Sequence, residues 1–218
     1  MDKKQRLILI LGAIILSNLL GILSIQGPMQ ISFSMTALPI YLIALSMGWE
    51  IGYITGLLGG ITQALHYGSI WYVFYTAIIG AVSGYIYKNH HINRKWGNIL
   101  FSTGIFFMFM WIVFINQYFL ASEVFVILIS LIMFVTLEYN IIKKHLAHNP
   151  LLNITLAGCA GAAAYIPFNI IVMALVQRYP MVPLFIILAK DLVQDYTAAI
   201  LAAVLMQTKA IKSIMNQR

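Results

Sequence analysis

Charge is what this chain has least of. Asp, Glu, Lys and Arg make up 9% of its 218 residues, and only six of them are acidic. An ordinary soluble domain carries about a quarter charged residues, so a water-facing globule of this size is excluded. Cysteine is nearly absent. The single Cys159 lies in an apolar run, which rules out a disulfide framework and a cysteine metal cluster. No G-x-x-x-x-G-K-[ST] run occurs, so the chain carries no phosphate-cradling loop with which to hydrolyse ATP. The five histidines form no HExxH and no His/Asp cluster with ligand spacing. His90 and His91 lie near Arg94 and Lys95, and His145 and His148 follow Lys143 and Lys144, poor surroundings for a metal cation. Neither a metal nor a cofactor is expected.

What is present in excess is hydrocarbon. The chain is 61% hydrophobic, with a mean hydropathy of +0.90. That composition predicts an all-α polytopic membrane protein, one integral membrane domain over residues 1–218. The net charge of +7 sits in short clusters between apolar runs, a pattern of membrane topology rather than of nucleic-acid binding. Eight apolar segments are read, at 7–25, 35–48, 51–66, 70–87, 97–116, 121–142, 152–177 and 184–208. The first is read as an uncleaved helix, because Ser24-Ile25-Gln26 is a poor small-x-small cleavage site. The second and third are short and divide near Gly48-Trp49-Glu50.

Charge parity supports eight spans. With the N-terminus inside, the cytoplasmic stretches hold Lys3, Lys4 and Arg6, then Lys88, Arg94 and Lys95, then Lys143 and Lys144, then Lys209, Lys212 and Arg218. This obeys the positive-inside rule at every cytoplasmic connection except the turn at Glu50. Joining the second and third segments would put Lys88, Arg94 and Lys95 outside. Both termini are therefore expected in the cytoplasm, with the chain as a multi-pass protein of the cell membrane.

Residues 183–207 are the most informative stretch. It is long enough to cross a bilayer, yet its first half carries Lys190, Asp191, Gln194 and Asp195. At about 100° per residue these four fall within one arc of roughly 140°. A charge within hydrocarbon costs at least ~2.5 kcal/mol, so such a face is expected to line a cavity or to close on itself as a Lys–Asp pair between helices. Ala198 and Ala202 continue the same face with small residues that admit a close neighbour. In the seventh segment, Gly161, Tyr165 and Asn169 share a face, and Pro167 should kink the helix. The third ends outside with Gln63 and His66, followed by Tyr67, Trp71, Tyr72 and Tyr75. Most of these rings fit an interfacial aromatic belt, but Gln63 and His66 have no place in one.

With this topology the intramembrane polar groups gather in the outer leaflet, and the inner halves are small or apolar. A channel needs polar groups along its whole path. The pattern predicts instead a pocket open outside and closed below. Its expected wall is Lys190, Asp191, Gln194 and Asp195, then Asn169 and Tyr165, then Gln63, His66 and Tyr75. The uncharged loop Gln26–Ser34, broken by Gly27-Pro28, is too apolar for a solvated linker and should fold back over the protein as a lid or an ordinary loop.

Small residues mark the close contacts. Gly52, Gly56, Gly60 and Ala64 recur at steps of four in the third segment, and Gly80 and Gly84 in the fourth. Ala13, Ser17 and Gly21 form such a stripe on the first helix, serving either internal packing or a partner. Residues 97–142 are mostly large and apolar and look peripheral; Glu123 lies at the outer end of 121–142, and Glu138 is read as snorkelling toward Lys143 and Lys144.

Residues 37–88 resemble the substrate-binding S components of energy-coupling-factor vitamin transporters, a branch of the ABC importers. The resemblance lies in Pro39 within a short helix, the Gly48 turn, the run from Gly52 to Gly60, and Gly80-x-x-x-Gly84 leading to Lys88. Lys190-Asp191 followed by small residues is similar to the family's last helix, and Ala13, Ser17 and Gly21 to its docking stripe. The family has six helices, so 97–142 would be an inserted hairpin. The resemblance implies a non-enzymatic transport subunit that binds a vitamin-like molecule outside. It also implies a transmembrane coupling subunit and two cytoplasmic ATPases as partners, the stripe docking on the former. Two readings from other classes stand beside it: a ligand-sensing module acting with a kinase in trans, and a small intramembrane enzyme using Asp191 and Asp195.

Overall fold

The computed structural model describes residues 3–23, 25–26, 32–89, 150–165, 168–169, 172 and 181–208. At 25–26, 32–33, 89, 150–153, 156, 163, 181–190 and 192–193 it describes the backbone alone. The expected hairpin at 97–142, the kink at Pro167, Arg178 and the paired histidines lie outside the described residues. Among those described, seven helices occur: α1 (Lys3–Ile22), α2 (Ala37–Met47), α3 (Trp49–Gly59), α4 (Ile61–Tyr67), α5 (Trp71–Asn89), α6 (Pro150–Ala164) and α7 (Met181–Met206). Two-residue strands β1 (Ile25–Gln26) and β2 (Ser32–Phe33) pair antiparallel, Ile25 opposite Phe33. The class is all-α but for that short ladder.

The helix boundaries follow from backbone chemistry. Pro39 stands in the first turn of α2, where its missing N–H removes no intrahelical bond. Gly48 then ends α2 at φ +97°, a region that side-chain-bearing residues avoid, and its N–H closes on Ala44 O at 2.9 Å. The division expected near Gly48 is thus present. Helices α3 and α4 are nearly one helix: the N–H of Gly60 bonds Gly56 O at 3.1 Å and that of Ala64 bonds Gly60 O at 3.0 Å. Gly68, at φ +64°, caps α4 in the left-handed conformation. The 11 residues of α2 span only about 16 Å, half the ~30 Å of bilayer hydrocarbon.

Helix α2 is the centre, packed by α1, α3, α5, α6 and α7. Ile40 and Tyr41 on it are fully buried. Tyr41 and Leu45 meet Tyr75 and Ile79 of α5, Ala157 of α6 and the alanine run Ala198, Ala199, Ala202 and Ala203 of α7 in one core. The glycine steps act as expected of them. A Cβ on Gly52 would strike the backbone of Gly80, and one on Gly80 would strike that of Gly52, so α3 and α5 lie backbone to backbone. Thr76 Oγ1 donates across this seam to Gly56 O at 2.7 Å.

Apolar side chains face outward in quantity. Leu7, Ile8, Leu11, Ile15 and Leu19 on α1 are about half exposed, and Ile54, Leu58, Leu65, Phe74, Ile200 and Val204 continue the belt on α3, α4, α5 and α7. Inside sit Ser17, Thr36, Thr55, Asn169, Asp191, Gln194 and Asp195, all buried. Apolar surface is thus extensive, and these buried polar groups share the interior with the apolar core. Among the described residues one helix, Lys3–Ile22, is long and apolar enough to cross a membrane, with a mean hydropathy of 1.9.

Candidate functional site

Five pieces of chain converge on one hollow. Helix α7 contributes Asp191, Gln194 and Asp195, one face by their spacing of three and four. Helix α5 adds Tyr72, Tyr75 and Thr76, and α4 adds Gln63 and Tyr67, again one face of each helix. Tyr165 enters just past the end of α6, and Ser34 and Thr36 from the turn before α2. The carboxyl-bearing residues are well inside, Asp191 8% and Asp195 5% exposed.

Two hydrogen-bond systems hold the wall. In the first, Tyr75 Oη donates to Asn169 Oδ1 at 2.5 Å, and Asn169 Nδ2 donates to Asp191 Oδ2 at 3.4 Å. Asn169, fully buried, thereby links a ring of α5 to an acid of α7. In the second, the backbone N–H of Ser34 donates to Gln194 Oε1 at 2.9 Å, and Gln63 Nε2 donates to Ser34 Oγ at 2.5 Å. Ser34 Oγ and Thr36 Oγ1 share a bond of 3.2 Å. The chain before α2 is thus bound to both α4 and α7 at the hollow.

The rings form a continuous arc. Tyr67 stacks on Tyr72 with centroids 4.9 Å apart, Tyr72 meets Tyr75 edge-on at 5.4 Å, and Tyr75 tilts against Tyr165 at 5.7 Å. Tyr165 is 2% exposed, and Asp195 of the same wall is the acid nearest its hydroxyl. The hollow offers about 30 Å³ to the centres of water-sized molecules. At ~10–15 Å³ per water on that measure, it holds about two.

Of the residues singled out from sequence, Asp191, Gln194, Asp195, Tyr165, Gln63 and Tyr75 line the hollow together, with Asn169 one bond behind. The side chain of Lys190 lies outside those described. His66 is not in the wall: it is exposed and sits edge-on to Tyr67 at 4.8 Å. Its spacing of three from Gln63 matches that of Asp191 and Gln194 on α7, so the helical period alone does not account for its exposure. Ser34, Thr36, Tyr67, Tyr72 and Thr76 belong to the wall but were not expected there. The two tyrosines read as interfacial belt, and lone hydroxyls in apolar sequence carry no pattern. Ser34 did fall in the segment expected to fold back.

The stripe Ala13, Ser17 and Gly21 faces inward. Ser17 Oγ donates to Thr36 O at 3.0 Å, and a Cβ on Gly21 would press on Thr36 and Gln63. Ser17 and Gly21 are buried by the chain's own helices and Ala13 is half-buried. Of the two roles expected of this stripe, the burial fits internal packing: these small residues let α1 close on α2 and α4. Among the described residues no three His, Cys, Asp or Glu side chains gather as metal ligands. No family model matches the chain, and no curated protein or solved structure matches it.

Proposed function

We propose that this chain is the substrate-binding membrane subunit of an importer of the energy-coupling-factor type. It captures a small vitamin-like molecule from outside for uptake driven by partner subunits. The observation that carries the reading is one hollow, lined by two acids, amides, hydroxyls and four tyrosine rings, inside a helical bundle whose outer surface is apolar. Extensive apolar surface around a cluster of buried polar groups suits a protein solvated by lipid, where polar groups cluster at functional cavities. The glycine contacts between α3 and α5 and the glycine turn after α2 agree with the features of residues 37–88 that resemble S components.

In this reading the chain crosses the membrane about eight times with both termini in the cytoplasm. The hollow lies toward the outer face. A coupling subunit and two cytoplasmic ATPases complete the importer, since this chain carries no phosphate-cradling loop. The described hollow has room for about two waters, so a vitamin-sized ligand requires it to widen.

Native mass spectrometry of the gently purified full-length protein tests this. One stoichiometric small molecule, released on unfolding, is the expected result. A protein that releases nothing but lipid, and takes up no radiolabelled vitamin when co-expressed with ATPases and coupling subunit, overturns the proposal.

A further inference from the structure

We infer that Asn18 of α1 is a positioning residue of the hollow: it holds open the break between α3 and α4 and thereby sets where α4 carries Gln63 and Tyr67. Its role is in the shape of the hollow, whatever occupies it, and so goes beyond the importer reading. In a continuous α-helix each N–H bonds the carbonyl four residues before it. Gly60 and Ala64 obey this, with bonds to Gly56 O at 3.1 Å and Gly60 O at 3.0 Å. Between them, continuity would join the Thr62 N–H to the Leu58 carbonyl. Both groups are taken by one side chain instead. Asn18 Nδ2 donates to Leu58 O at 2.8 Å, and the Thr62 N–H donates to Asn18 Oδ1 at 2.8 Å. The carboxamide of Asn18 thus occupies the place of that helical bond, supplying the donor that Leu58 needs and the acceptor that Thr62 needs.

The amide head is fully used. Asn18 Nδ2 also donates to Ile14 O at 2.9 Å, and Thr62 Oγ1 also donates to Asn18 Oδ1 at 2.7 Å. Each amide atom so makes the two bonds it is able to make. A side chain inserted into the bond ladder of another helix is a known cause of a kink. The break matters to the hollow because α3 and α4 are held by different neighbours. Helix α3 lies backbone to backbone on α5, which carries Tyr72, Tyr75 and Thr76 to the wall. Helix α4 begins after the break, and its Gln63 reaches Ser34 Oγ. The angle at the break therefore sets Gln63 and Tyr67 against the rest of the wall. Helix α1 is close enough to enforce it. A Cβ on Gly59 would stand 2.9 Å from Ser17 Cβ, and one on Gly21 would stand 3.3 Å from Gln63 Cγ.

The test uses the full-length protein in lipid nanodiscs, with Cys159→Ala and spin labels at Tyr53→Cys on α3 and Leu65→Cys on α4, both exposed positions. Pulsed electron paramagnetic resonance reads the distance between the labels. Asn18→Leu removes both bonds, so Thr62 is free to close on Leu58, and the distance is expected to shift from that of the parent. Thr62→Pro is the counterpart. Proline has no N–H to give Leu58, and its ring is pushed off that carbonyl, so the break stays open without Asn18. The parent distance should return in the double variant Asn18→Leu/Thr62→Pro. A side chain that merely fills space would not be rescued in this way. Thr62→Pro alone should keep the parent distance and most of the melting temperature, whereas Ile54→Pro, inside α3, should lose the fold. An unchanged distance in Asn18→Leu overturns the inference, as does a shift that Thr62→Pro leaves in place. If Asn18→Leu does not fold, Thr62→Pro decides: stability near that of the parent supports the open break, and a loss as large as that of Ile54→Pro overturns it. The distance is read without ligand, so its outcome is independent of the importer reading.

Discussion

Gln194 on α7 accepts the backbone N–H of Ser34 at 2.9 Å, across 160 residues of sequence. Gln63 reaches the same serine from α4, its Nε2 donating to Ser34 Oγ. One residue before α2 is thereby held to two helices at the mouth of the hollow. Gln194→Ala leaves a buried N–H without an acceptor, a loss of about 1–3 kcal/mol. Gln194→Glu keeps an acceptor and should lose less. Hydrogen exchange at the Ser34 amide reads this directly: fast exchange in the alanine variant and slow in the parent is expected. Equal rates would show that the bond does not restrain the segment.

The Tyr75–Asn169–Asp191 chain makes a second prediction. Tyr75→Phe removes the donor to Asn169, and Asn169→Leu removes the link to Asp191. Because the three act through one another, their effects should not add. A double-mutant cycle between Tyr75→Phe and Asn169→Leu should give a coupling of about 1 kcal/mol in unfolding free energy. Simple additivity would separate Tyr75 from Asn169.

Gly80→Val tests the backbone contact between α3 and α5. Its Cβ alone would strike Gly52, so the two helices must part along their length. A loss of at least ~2 kcal/mol is expected, seen as a large fall in melting temperature or in monodisperse yield. Gly12→Val is the control, since a Cβ there meets nothing within 4 Å. A tolerated Gly80→Val would break the described packing.

On α1, Ser17→Trp should damage the fold itself. The serine is fully buried and bonded to Thr36 O. Ile15→Trp, on the exposed face of the same helix, should be neutral to stability. Comparable melting curves for Ser17→Trp and the parent would restore the stripe as a docking surface.

Topology is open to single-cysteine labelling after Cys159→Ala. His66 and Lys88 are both exposed, at the ends of α4 and α5. His66→Cys should react with an impermeant maleimide in intact cells, and Lys88→Cys only after permeabilisation. The reverse pattern would invert the orientation.

The sequence was most legible where a single helix decides the outcome. The face shared by Asp191, Gln194 and Asp195 follows from the helical period alone, and these three do line one hollow. The steps of glycine between Gly52 and Gly80 likewise require backbone contact whatever the neighbour is. His66 shows where that logic stops. It stands three residues from Gln63, the spacing that shares a face on α7, yet it is exposed in the last turn of α4, where no helix among the described residues covers that side. Tyr67 and Tyr72 were read as belt residues because belt and wall tyrosines have the same local sequence.

The sequence by itself determined that this is an apolar, helical chain with scarce charge, where its helices break, and which helix carries buried acids. Those properties depend on composition and on bonds within four or five residues. Tertiary structure alone decided that Ser34 and Thr36 close the wall, that Asn169 joins Tyr75 to Asp191, and that Ser17 and Gly21 serve the chain's own packing. Each depends on contacts between residues from 19 to 160 positions apart. Helical periodicity states which side chains share a face, but which faces meet is settled only when all the helices pack.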